Sequence, residues 1–129
     1  MSVSAEEPSL ARPGGISYLH IPTADARPTA CFYENVFGWS VRDPHADSPA
    51  FSDGSGHVIG HFVTHGSVAG DSGMRPYIYV DDVRATVEQI EACGGEVLES
   101  PFAEGNLTVA LFSDPAGNVL GVWQFGSPS

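Results

Sequence analysis

Three landmarks of this chain occur twice at one spacing. Asp25, Arg27 and Gly38 return as Asp82, Arg84 and Gly95, a constant offset of 57 residues. The local signals around them repeat in the same order, and that limits the possible folds more than composition does. In the first half, residues 16–21 are rich in β-formers and stop at Pro22, as a strand does. Thr23 or Asp25 is placed to cap a helix with Pro28 in its first turn, where a missing N–H is harmless. That helix runs to Phe37 and stops at Gly38. Residues 39–42, 50–52 and 57–63 then read as strands, the last two joined by the turn Asp53-Gly54-Ser55-Gly56.

A Gly- and Ser-rich stretch follows, and the order starts again. Residues 77–80 read as a strand. Asp82 caps a helix whose Val83, Val87 and Ile90 share one face. It stops at Gly94-Gly95. Strands follow at 96–98, 107–112 and 119–123, the last two joined by Asp114-Pro115-Ala116-Gly117. The expected architecture is α+β: two βαβββ modules over residues 15–65 and 75–125. A linker spans 66–74, flexible tails span 1–14 and 126–129, and the whole forms one compact domain.

Composition excludes several functions. The chain carries five arginines, no lysine and sixteen acids, for a net charge of −11. Nucleic-acid binding needs a basic footprint, and anionic lipid needs a basic amphipathic helix; neither is present. No apolar run approaches the ~18 residues of a membrane helix. The N-terminus lacks the basic and apolar regions of a secretory signal, so a cytoplasmic setting is expected. Cys31 and Cys93 stand without a CxxC and read as reduced structural thiols. His57, His61 and His65 are four residues apart. On a strand that spacing is ~13 Å, too far for one zinc ion to take two of them at ~2.1 Å.

Several motifs resemble the vicinal oxygen chelate superfamily, also called the glyoxalase/bleomycin resistance/dioxygenase family. They are His20-Ile21-Pro22 with Asp25, the run Phe32-Tyr33-Glu34-Asn35-Val36-Phe37-Gly38-Trp39, then Val80-Asp81-Asp82-Val83, Gly94-Gly95 and Asp114-Pro115-Ala116-Gly117-Asn118. The resemblance covers residues 15 to about 125. It implies curved mixed sheets lining a cleft, helices outside, and a homodimer. In metal-dependent members, His, Glu or Asp from the first and last strand of each module hold a divalent cation that polarises substrate oxygens. Counted from these motifs, the four positions fall on Tyr18, Gly60, Arg75 and Gly121. Glycine has no side-chain ligand and arginine stays protonated. No metal ligand and no cofactor are therefore expected, with Zn, Ni, Fe or Mn at a non-standard site as the alternative.

Strand alternation sorts the remaining side chains. The cleft face is expected to carry Tyr18, His20, Val58, Phe62, Arg75, Tyr77, Tyr79, Val119 and Trp123. Leu19, Ile21, Ile78, Val80, Leu120 and Val122 go to the helix side, and His20 and His61 fall on opposite faces. An aromatic cleft with few polar groups suits a planar organic ligand held by stacking. Arg75 can pair a carboxylate or phosphate, and His20 can serve as a general base. The expected function is metal-independent binding of a small, planar, partly apolar molecule. The alternatives are a lyase, isomerase or dioxygenase with a non-standard metal site, and a non-catalytic accessory domain.

Overall fold

A computed structural model describes residues 10–68 and 73–126. The chain divides into two compact units, Met1–Gly66 and Ser67–Ser129. Among the described residues no helix is long and apolar enough to cross a membrane.

The first unit runs β1 (Tyr18–Pro22), α1 (Ala26–Phe37), β2 (Ser40–Arg42), β3 (Ala50–Ser52) and β4 (Ile59–Val63). Its sheet order is β1-β4-β3-β2, with β1 parallel to β4 and the other pairs antiparallel. Asp25 is the helix N-cap, and its side chain accepts from the Arg27 N–H. Gly38 ends the helix at φ 71°, a left-handed conformation that costs glycine little, and its N–H returns to the Glu34 carbonyl. Trp39 follows at once and stacks on Tyr33 at 4.5 Å and on Phe51 at 4.9 Å between ring centroids. Phe62 joins them, 5.0 Å from Phe51 and 5.9 Å from Tyr33. These buried rings are the first unit's core.

The second unit repeats the order: β5 (Tyr77–Tyr79), α2 (Val83–Ala92), β6 (Glu96–Glu104), β7 (Leu107–Ser113) and β8 (Val119–Phe125). Its sheet order is β5-β8-β7-β6, again with one parallel pair, β5 with β8. The Asp82 side chain caps α2 by accepting from the Ala85 N–H. Val83 and Ile90 are buried, with Phe112 and Val122 among the buried residues of the strands.

Several boundaries differ from expectation. β1 begins at Tyr18 rather than at residue 16. β6 runs to Glu104, six residues past its expected end at 98. Pro101 lies within it, which is tolerated because β6 is an edge strand, where a missing N–H costs no ladder bond. Gly105, at φ 59°, and Asn106 then turn the chain directly into β7, with Glu104 opposite Leu107. The expected tail at 1–14 also changes: Leu10 is buried and Arg12 Nη2 donates to the Ile16 carbonyl. Residues 1–9 of that tail, 69–72 of the linker and 127–129 of the second tail lie outside the described residues.

The Asp114 turn is built around one carboxylate, only 3% exposed. Its Oδ1 accepts from the backbone N–H groups of Ala116, Gly117 and Asn118, and its Oδ2 from Asn118 Nδ2. Removing it leaves several donors without their acceptor. Asp114→Ala should lower stability by about 2–3 kcal/mol in urea unfolding.

Candidate functional site

Alternation along β5 and β8 presents Tyr77, Tyr79, Val119, Gly121, Trp123 and Phe125 on one sheet face and Ile78, Leu120 and Val122 on the other. Leu120 and Val122 are buried, as the helix-packed side requires. The Tyr77 ring crosses Gly121, so that a methyl group there would collide with it. Beside them, Tyr79 meets Trp123 edge-on at 5.0 Å, and Trp123 meets Phe125 edge-on at 5.0 Å. Tyr77 is 46% exposed, Tyr79 51% and Phe125 69%. Rings this large normally stay out of water, and here three of them are exposed on one face.

This face agrees with the expected positions of Tyr77, Tyr79, Val119 and Trp123. Val119 is buried at its base. Arg75 is half-buried but precedes β5 rather than lying in it. Phe125 is an addition: the strand was expected to stop at 123, although Gln124-Phe125 continues the same alternation. Tyr77 is an exposed, movable side chain. Gly121→Ala should therefore change stability by less than about 1 kcal/mol while displacing the Tyr77 ring, visible in ring-proton NMR shifts.

The first unit corrects the expectation for β4. Cα partners across β1 and β4 are Tyr18 with Ile59, Leu19 with Gly60, His20 with His61 and Ile21 with Phe62. Gly60 and Phe62 therefore face the helix with Leu19 and Ile21, and His61 shares the open face with Tyr18 and His20. Phe62, expected on the open face, is fully buried against Tyr33 and Phe51. Val58, also expected there, belongs to the turn before β4: its N–H donates to Asp53 Oδ1 and its carbonyl accepts from the Asp53 N–H.

That turn explains the slip. In the second unit the Asp114 N–H closes on the Asn118 carbonyl, four residues on. In the first, Asp53 closes on Val58, five residues on. One extra residue in the loop reverses every side chain of the strand it feeds.

On the open face of the first unit, Tyr18 Oη lies 2.7 Å from His61 Nδ1. His20 packs edge-on against Tyr18 at 5.3 Å and against His65 at 5.7 Å. His61 was not among the expected site residues. The signal that finds it is the length of the Asp53 turn.

The corrected strand also moves the second of the four ligand positions implied by the resemblance, from Gly60 to His61. The set becomes Tyr18, His61, Arg75 and Gly121: a phenol, an imidazole, a guanidinium and no side chain. That set does not fit a four-ligand divalent site. Among the described residues, no three His, Cys, Asp or Glu side chains are grouped to hold a metal ion.

Residues 18–123 match the family model described as a glyoxalase-like domain. The chain belongs to that family, within the vicinal oxygen chelate superfamily. It is 29% identical over 132 residues to the anthracycline biosynthesis protein DnrV of Streptomyces peucetius, covering 88% of this chain and 48% of that protein. The chain thus spans about half the length of that relative. Among solved structures, it superposes on a glyoxalase/bleomycin resistance protein/dioxygenase family enzyme from Burkholderia phytofirmans PsJN with a TM-score of 0.72 and 21% identity. That match covers 84% of this chain and 97% of the other. The antibiotic binding protein TnmS3 from Streptomyces sp. CB03234 gives a TM-score of 0.66 at 22% identity, covering 88% of this chain and 97% of its own. At these identities the two structures bear on the fold alone.

Proposed function

We propose that the chain binds a small, planar, partly apolar organic molecule without a metal, on the aromatic face of the second unit. The observation that carries this reading is the row of rings on one face, with Tyr77, Tyr79 and Phe125 exposed, Trp123 half-buried among them, and the Tyr77 ring lying across Gly121. Stacking needs aromatic rings and few polar anchors, and this face carries four rings. The net charge of −11 favours a neutral or cationic ligand. A relative named for anthracycline biosynthesis, and a structural neighbour that is an antibiotic binding protein, support the same class of ligand, since anthracyclines are planar polycyclic aromatics. The reading includes a homodimer in the cytoplasm, and sedimentation equilibrium checks the dimer.

The test is calorimetric titration with a planar hydroxyanthraquinone. Trp123→Ala should weaken binding by about 1–3 kcal/mol, the worth of one stacking partner, with far-ultraviolet circular dichroism checking that the variant is folded. An unchanged affinity would remove Trp123 and the face around it from the site.

A further inference from the structure

The geometry points to a second site on the first unit: Tyr18 and His61 form a proton-accepting pair for a weakly acidic hydroxyl, such as a phenol or enol, which is held there as its oxyanion. The proposal goes beyond the aromatic face of the second unit and stands on the first unit alone.

The placement comes from the backbone. β1 and β4 run parallel, and their pairing puts Tyr18, His20 and His61 on one face. The phenol oxygen and the imidazole Nδ1 are 2.7 Å apart, a short hydrogen bond. Whichever group carries the shared proton, the pair offers one donor and one acceptor outward. With Nδ1 accepting, Nε2 carries the ring proton and the Tyr18 oxygen accepts; with Nδ1 donating, the Tyr18 hydroxyl donates. Tyr18 is 50% exposed, so its oxygen is within reach of a ligand. The other titratable side chains that ring contacts bring to this face are His20 and His65.

The transfer balances within the pair. The ligand O–H bond breaks and its proton goes to Tyr18 Oη. The proton already on Tyr18 passes to His61 Nδ1. The products are the ligand oxyanion, a neutral tyrosine that donates to it, and a His61 imidazolium. No oxidant, metal or co-reactant takes part. The disagreement with the ligand set fits this role, because the two first-unit positions that would hold a metal hold a phenol bonded to an imidazole instead.

The probe is 4-nitrophenol, whose phenolate absorbs in the visible while the neutral phenol does not. It is added to the full chain at a pH where the free probe is mostly neutral. Wild-type protein should bring up the phenolate band. Tyr18→Phe and His61→Gln should each weaken binding of the phenolate about tenfold or more, the worth of one hydrogen bond to a charged group. His57→Gln, in the Asp53 turn, should leave the band intact. Far-ultraviolet circular dichroism checks that each variant is folded. Absence of the band with wild-type protein, or its persistence at full strength in Tyr18→Phe and His61→Gln, would overturn the assignment.

Discussion

Phe62→Ala should lower the free energy of unfolding by about 3–5 kcal/mol, whereas His61→Ala, one residue earlier, should change it by less than about 1 kcal/mol. Phe62 is fully buried between the rings of Tyr33 and Phe51, so truncation leaves a cavity that the stacked rings cannot close. His61 lies on the opposite face and loses only a hydrogen bond at an exposed site. Denaturant melts of the two variants read the difference directly. The reverse order would put Phe62 back on the open face and dissolve the pairing of Tyr18 with His61.

Gly60→Ala should cost about 3 kcal/mol, at the upper end of what overpacking does. A methyl group at Gly60 would run into the Leu19 carbonyl oxygen and would lie 2.6 Å from Phe51 Cζ. The carbonyl belongs to β1, held in its ladder against β4, and the Phe51 ring is wedged between Trp39 and Phe62. Neither can step aside. Gly121 is the instructive contrast. A methyl there meets a movable exposed ring, so a similar collision costs little stability. A melting temperature for Gly60→Ala close to wild type would contradict this packing of β4.

The repeated Asp, Arg and Gly landmarks disclosed the two modules because helix caps and stops are local. Asp25, Gly38 and Asp82 act within a few residues of themselves, and the structure uses them as read. The aromatic face of the second unit was legible for the same reason. The Asp114 turn has a familiar length, and Val119, Gly121 and Trp123 follow it in phase. The first unit was not, because its Asp53 turn holds one more residue. Side-chain alternation carries no memory of where a strand starts, so a single residue moved Phe62 into the core and His61 out of it. The full length of β6 was not legible locally, because a strand that contains Pro101 is allowed only at an edge, and only the sheet order reveals the edge. The partner of Tyr18 was hidden too, since it is 43 residues away.

The most direct test of metal-independent binding is a calorimetric titration of the hydroxyanthraquinone into chelator-treated protein, run beside the untreated protein and protein reloaded with zinc, nickel, iron or manganese. The predicted result is the same affinity in every sample. Binding that vanishes on chelation and returns with one metal per chain would contradict it, and would make Tyr18 and His61 ligands rather than a proton-accepting pair.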